Sequence, residues 1–188
     1  MIHVCSLARL HETVATTGAR HVVSLLGDEA NLIRPATVAP ENHLRLRLHD
    51  ISAPLEGYVA PQTEHVEQLI AFVQRWPRER ALVIHCYAGV SRSSAAGFVS
   101  VCALSPASDE RAIAIALRRS SPSATPNIRI VAIADQLLAR RGRMVGAVEA
   151  IGSGVVVPEA LPFRLDLPPV NAMSNMTADN PLKQIPAV

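Results

Sequence analysis

The chain has 188 residues, of which 49% are hydrophobic and only 3% aromatic, and its formal net charge is +2. This length suits one domain with an added tail, and the hydrophobic fraction argues against global disorder. The small net charge gives no support to nucleic-acid binding, and three cysteines without paired spacing indicate a reducing compartment rather than a disulfide framework.

The N-terminus lacks the charged and long apolar regions of a signal peptide, and no apolar run reaches the length of a membrane span. We therefore expect a cytoplasmic protein with no membrane partner.

Short apolar runs alternate with segments of helical spacing along most of the chain. Predicted strands cover 2–7, 21–26, 43–51 and 81–84, and predicted helices cover 8–19, 62–76, a segment ending near 104, 110–119 and 127–151. The alternation predicts an α/β fold, a three-layer sandwich with a central, mostly parallel sheet flanked by helices.

The character of the chain changes after residue 151. Residues 152–188 hold six of the 14 prolines, which is typical of extended chain. We expect a domain over 1–151 and a proline-rich tail over 152–188. The tail is expected to pack in part through its apolar residues, which are Val155, Val156, Val157, Leu161 and Phe163.

Residues 85–93 carry the main functional signal, with the sequence His-Cys-Tyr-Ala-Gly-Val-Ser-Arg-Ser. They follow an apolar strand and precede a run of small residues, which predicts a tight loop at a strand–helix junction. Oxyanions bind at helix N-termini, where free N–H groups converge and the helix dipole adds positive potential. The same field favours the thiolate of Cys86, the nucleophilic form of cysteine.

This stretch resembles the H-C-x5-R-[ST] signature of the protein tyrosine phosphatase superfamily. Its form is most similar to that of the dual-specificity branch, and residues 20–150 resemble small bacterial phosphatases of this type. The resemblance implies a phosphatase loop between the strand and the helix. It also implies hydrolysis of a phosphomonoester through a phosphocysteine intermediate, without metal or other cofactor.

The resemblance assigns a role to each residue of the loop. Cys86 is the expected nucleophile, Arg92 binds two phosphate oxygens with its planar fork, and Ser93 donates to the departing sulfur. His85 is expected to support the loop by bonding its backbone. The expected phosphate-binding positions are Tyr87, Ala88, Gly89, Val90, Ser91 and Arg92. Gly89 allows a backbone angle that a β-carbon hinders.

The reaction also needs a general acid to protonate the leaving oxygen. Asp50 ends the most regular alternating strand, in a context that resembles the strand-end acid of the family. Asp28 is the competing candidate, since it follows the preceding strand, and His49 is a further one.

Asn127 opens the last predicted helix after Pro126. In the family, such an asparagine bonds the hydroxyl of the loop serine, which is Ser93 in this chain. The alternative is a helix cap after a proline turn, and both can hold together.

The expected function is that of a protein tyrosine or dual-specificity phosphatase, acting on a phosphorylated protein or a small phosphate ester. One alternative is a rhodanese-type sulfurtransferase, which also uses a cysteine loop. Another is a phosphatase fold that binds phosphorylated partners without turnover. The scattered histidines make no metal-binding pattern.

Overall fold

The computed structural model describes residues 1–27 and 31–167. The strands are β1 (Ile2–Ser6), β2 (His21–Leu26), β3 (His43–Arg47), β4 (Leu82–Cys86) and β5 (Phe163–Leu165). The helices are α1 (Leu10–Thr17), α2 (Thr63–Arg75), α3 (Arg92–Leu104), α4 (Glu110–Ser120), α5 (Ile128–Leu137) and α6 (Arg143–Ile151), with a 3-10 turn at Pro40–Asn42.

The five strands form one sheet in the order β3-β2-β4-β1-β5. The first four run parallel, and β5 runs antiparallel to β1. The predicted class, an α/β fold with a central and mostly parallel sheet, is confirmed.

Alternate side chains of the buried strands enter two separate apolar clusters, because successive residues of a strand point to opposite faces. On β4, Leu82, Ile84 and Cys86 join the larger cluster, and Val83 joins the smaller one. Residues of α1 belong to the smaller cluster, whereas residues of α2 to α6 belong to the larger. These are the three layers that the sequence predicts.

The helix predicted over 127–151 is wrong as a single element, because the structure has α5 and α6 in its place. The buried carboxylate of Asp135, on α5, accepts hydrogen bonds from the amides of Gly142 (2.6 Å) and Met144 (2.7 Å). It thereby caps the start of α6. Ala139, Arg141 and Gly142 all have positive φ, so the backbone between the two helices cannot continue as α-helix.

The segment after residue 151 crosses the body of the fold and supplies an edge strand. The expected packing of Val155, Val156 and Leu161 is wrong, since all three are exposed. Phe163, which was also expected to pack, is buried, and so are Ala160 and Leu165. The predicted tail beyond residue 167 lies outside the described residues.

No helix in the described part of the chain has the length and apolar character needed to cross a membrane.

Candidate active site

The loop 85–93 lies at the carboxyl end of the parallel strands, where ligands bind in α/β folds. β4 lies between β2 and β1 and ends at Cys86, and α3 begins at Arg92. The carboxyl end of a central parallel strand and the N-terminus of the following helix therefore meet at this loop.

Backbone hydrogen bonds fix the loop to three other segments. The carbonyl oxygens of Tyr87, Ala88, Val90 and Ser91 accept bonds of 3.1, 2.9, 3.0 and 3.3 Å from the amides of Leu7, Ala160, Thr125 and Asn127, in that order. A loop whose carbonyls turn outward presents its amides to its own interior, which is the arrangement of an anion-binding nest.

Gly89 is required at its position for two reasons. Its φ is 75°, in the left-handed region. A β-carbon there would lie 2.9 Å from both the carbonyl carbon of Cys5 and the amide nitrogen of Ser6. The loop can therefore approach the end of β1 only with a glycine here.

Cys86 and Ser93 lie side by side at the base of the loop. The Cys86 Sγ and Ser93 Oγ atoms are 3.1 Å apart, and both residues are buried. A hydroxyl at this distance can donate to a thiolate, which is the role that the sequence predicts for Ser93.

Arg92 is hydrogen-bonded through one nitrogen and lacks a hydrogen bond at another. Its Nη1 donates to the carbonyl of Leu48 at 3.0 Å, and its Nε lies 3.8 Å from Asp50 Oδ2. Among the described residues, Nε is buried and has no hydrogen-bond partner. An unmade buried bond costs about 1–3 kcal/mol, so an oxyanion bound in the loop would satisfy a donor that the protein does not.

Asp50 lies beside the loop, close to α3. Its Oδ1 accepts hydrogen bonds from Ser91 Oγ (2.7 Å) and Asn127 Nδ2 (2.8 Å). The Asp50 side chain is 37% exposed, so it can reach solvent and substrate. The structure brings the predicted acid and the predicted nucleophile loop together. Asp28, the competing acid, lies outside the described residues.

The side chain of Asn127 makes two kinds of contact, of which the sequence predicted one. Its Oδ1 accepts from the amides of Arg129 and Ile130, which confirms the helix cap. Its Nδ2 donates to Asp50 rather than to Ser93, so the predicted bond to Ser93 is wrong. A side-chain amide with one oxygen and one nitrogen can cap α5 and hold Asp50 at once.

His85 connects the loop to two other strands. Its Nε2 lies 2.6 Å from Ser24 Oγ, which also lies 2.8 Å from His43 Nε2. Its Nδ1 is buried and makes no hydrogen bond with the described residues, so His85 bonds Ser24 rather than the loop backbone as expected. Burial lowers the pKa of His85 to about 4, and the adjacent Cys86 backbone acts in the opposite direction. Burial also lowers the pKa of His43 to about 4, so both rings are neutral at pH 7. Sequence reasoning missed Ser24, since nothing local to β2 indicates that it faces these two histidines.

His49 points toward Tyr58 on the exposed loop that follows β3. Its Nδ1 accepts from the Val59 amide at 2.9 Å, and its ring meets that of Tyr58 edge-on with centroids 5.0 Å apart. Tyr58 is exposed, as is Tyr87 in the candidate site.

The other two cysteines are separated from Cys86 by the architecture. Cys5 belongs to the cluster on the opposite face of the sheet, and Cys102 lies in the last turn of α3. At 1.5 Å per residue, Cys102 is about 15 Å along the helix from Arg92. Burial raises the pKa of both thiols to about 12. A disulfide from either one to Cys86 would require backbone movement.

No protein-family model matches this chain, and no curated protein does either. Solved structures do match this chain. DUSP15 superposes with a TM-score of 0.59 at 16% identity, over 79% of this chain and 90% of that one. Human DUSP28 gives 0.57 at 18%, over 74% and 89%. The human tyrosine phosphatase-like serine/threonine/tyrosine-interacting protein gives 0.57 at 17%, over 74% and 92%.

At these identities the likeness establishes the fold. The chain has the fold of the dual-specificity phosphatases. The resemblance carried by the loop 85–93 and the architecture of the described residues therefore agree.

Proposed function

We propose that this protein hydrolyses phosphomonoesters through a phosphocysteine intermediate, as a protein tyrosine or dual-specificity phosphatase. One observation carries the proposal. A single loop places Cys86 Sγ 3.1 Å from Ser93 Oγ, and the same loop holds Asp50 through Ser91 Oγ at 2.7 Å. A nucleophile, a helper for its departure and a carboxyl group thus surround one anion site.

In the first step, the Cys86 thiolate attacks phosphorus and the bond to the ester oxygen breaks. Asp50, as the carboxylic acid, gives its proton to the leaving oxygen. The guanidinium of Arg92 and the loop amides bind the three remaining phosphate oxygens, on which charge develops. The products are phosphocysteine, the free alcohol or phenol, and the Asp50 carboxylate.

In the second step, water attacks the same phosphorus and the sulfur–phosphorus bond breaks. The Asp50 carboxylate takes a proton from the attacking water, and Ser93 Oγ donates a hydrogen bond to the departing thiolate. Inorganic phosphate leaves, and Asp50 is again the carboxylic acid and Cys86 again the thiolate.

The test is phosphate release from an aryl phosphate and from phosphotyrosine and phosphoserine peptides, with and without a metal chelator. Cys86→Ser should lower turnover by about 10⁴-fold or more, because it removes the nucleophile. The same variant should still bind inorganic phosphate. Cys102→Ala is the matched control, since it removes a buried thiol far from the loop, and it should retain turnover.

Two other results would point to the alternatives. Sulfur transfer from thiosulfate to cyanide, without phosphate release, would indicate a rhodanese-type enzyme. Tight binding of phosphopeptides by the unaltered protein, without phosphate release, would indicate a binding module of the same fold. Full turnover in Cys86→Ser would show that the proposed mechanism is wrong.

A further inference from the structure

A cavity of about 260 Å³ adjoins the loop, next to the positions that follow Cys86. Its walls are Leu7, Ala8, Tyr87, Ala88, Pro158 and Glu159. Asp50 contacts the loop at Ser91, near its other end. The cavity is smaller than a pocket for a drug-sized molecule, about 300–1,000 Å³. It suits a single side chain.

Residues 152–162, called the strap, connect α6 to β5 and contain Glu159. The strap is anchored before Glu159, where the Val155 amide donates to Pro122 O (2.9 Å) and Arg118 Nη2 donates to Gly152 O (2.7 Å). It is anchored after Glu159 by the Ala160 amide, which donates to the loop carbonyl of Ala88 at 2.9 Å, and then by β5. The backbone position of Glu159 beside the loop is thus set from both sides.

Close packing fixes the beginning of the strap as well. A β-carbon on Gly154 would lie 2.6 Å from the carbonyl carbon and oxygen of Ser123, so the strap lies directly on the turn before α5. The Gly154 amide also donates to Thr125 Oγ1 at 3.0 Å.

The Glu159 carboxylate lies at the cavity and is only partly neutralised by its basic neighbour. Its Oε1 accepts from Ser6 Oγ at 2.7 Å and lies 3.7 Å from Arg9 Nε. Arg9 is shared, since its Nη1 also pairs with Glu12 Oε2 at 3.0 Å. These two carboxylates and one guanidinium sum to −1. The Glu159 side chain is 43% exposed and is therefore open to a partner.

We propose that this cavity receives a lysine or arginine side chain that neighbours the phosphorylated residue of a protein substrate. The aliphatic stem of such a side chain would lie along Leu7, Ala8 and Pro158, and its cationic head would meet Glu159. A glutamate in the same place would meet like charge. The subsite rests on the proposed function, because it is defined relative to the phosphate loop.

The test uses phosphotyrosine peptides that are identical except for one residue, placed in turn at each of the two positions on either side of the phosphotyrosine. That residue is lysine, glutamine or glutamate. At the position that reaches the cavity, kcat/KM for the lysine peptide should exceed that for the glutamine peptide about fivefold. Glu159→Gln should bring this ratio close to one, and Glu159→Lys should invert the preference toward glutamate.

Glu149→Gln is the matched control, because it removes an exposed carboxylate on α6, away from the cavity. It should leave the lysine-to-glutamine ratio at its original value. A ratio of one at every position in the unaltered protein would overturn the subsite. An equal fall of the ratio in Glu159→Gln and Glu149→Gln would overturn it too.

The same peptides should be titrated into Cys86→Ser, with Kd as the readout. If no peptide releases phosphate from the unaltered protein, the proposed hydrolysis is wrong. The ratio of Kd values for the lysine and glutamine peptides still decides the subsite in that case. A fivefold ratio that Glu159→Gln removes would support the subsite, and equal Kd values would overturn it.

Discussion

The nucleophile side and the acid side of the candidate site are held by different kinds of contact. The loop that carries Cys86 is fixed through its backbone carbonyls, and its residues Cys86, Arg92 and Ser93 are buried. Asp50 precedes an exposed stretch, residues 52–59, and is held through side-chain bonds from Ser91 and Asn127. The candidate anion site is therefore fixed by the backbone of the fold, whereas the position of the candidate acid depends on two side chains.

On the acid side, we expect a large loss of activity with little change in stability. Asp50→Asn keeps an oxygen that can accept from Ser91 and Asn127, but it removes the transferable proton. The kcat/KM for a substrate with a poor leaving group, such as phenyl phosphate, should fall about 10²–10³-fold.

The leaving-group dependence is the control for this variant. The kcat/KM for p-nitrophenyl phosphate, which reports the first step alone, should fall much less, because its leaving oxygen needs less protonation. The free energy of unfolding should change little. Equal losses on both substrates would place the general acid elsewhere.

On the nucleophile side, we expect a substitution to damage fold and activity together. Gly89→Ala adds a β-carbon at positive φ and within 2.9 Å of the β1 backbone. The free energy of unfolding should fall by about 3 kcal/mol, measured by urea denaturation.

Gly18→Ala separates the two causes of that loss. Gly18 also has positive φ, at 63°, but a β-carbon there would have nothing within 4 Å. It should cost about 1 kcal/mol from backbone strain alone. Equal losses at Gly89 and Gly18 would mean that the loop does not need its close approach to β1.

The support beneath the nucleophile should respond to pH. The pKa of His85 is lowered to about 4 in the folded protein, whereas an exposed histidine titrates near 6.5. Below pH 6.5 the unfolded chain binds a proton that the folded chain does not. Stability should therefore fall as the pH drops from about 6.5 toward 4, by about 2 kcal/mol per such histidine between pH 7 and 5.

Urea denaturation at pH 7 and pH 5 measures this slope. His85→Gln should reduce it, and His11→Gln, at an exposed position, should leave it as it is. An unchanged slope in His85→Gln would contradict a buried neutral ring.

The smallest effect tests the link between the two sides. Asn127→Asp keeps the oxygen that caps α5, but it loses the donor to Asp50 and places a second carboxylate beside it. Turnover should fall about tenfold, with the free energy of unfolding nearly unchanged.

Asn127→Ala should add a loss of about 1 kcal/mol in stability, because the cap is removed as well. Asp109→Ala is the matched control, since Asp109 caps α4 through the Arg111 amide without touching the site. It should lose stability and keep turnover. If Asn127→Asp turned over at the full rate, the bond to Asp50 would have no part in positioning the acid.

The two sides also differ in how far the sequence predicts them. The loop residues lie within nine consecutive positions, between an apolar strand and a helix of small residues, so local patterns were sufficient to place them. The mostly parallel sheet followed for the same reason, from the alternation of strands and helices.

The contacts that hold Asp50 and the strap are long-range. Asn127 and Asp50 are 77 residues apart in sequence, and Ser6 and Glu159 are 153 apart. No local pattern identifies such pairs, since their meeting depends on how whole elements pack. The break between α5 and α6 has a local cause, because Asp135 caps the next helix across a turn of a few residues, but apolar residues at helical spacing continue through that turn and conceal it.

The most direct measurement of the central claim is the detection of phosphocysteine. Asp50→Asn should be mixed with p-nitrophenyl phosphate and quenched in acid on the millisecond scale. The variant slows the second step, in which the carboxylate takes a proton from water, so the intermediate should accumulate. Mass spectrometry of the peptide that contains Cys86 should then show one added phosphoryl group, which Cys86→Ser lacks. The account would be contradicted if the unaltered protein released phosphate while neither it nor Asp50→Asn carried a phosphoryl group on Cys86. A phosphoryl group on another residue would contradict it as well.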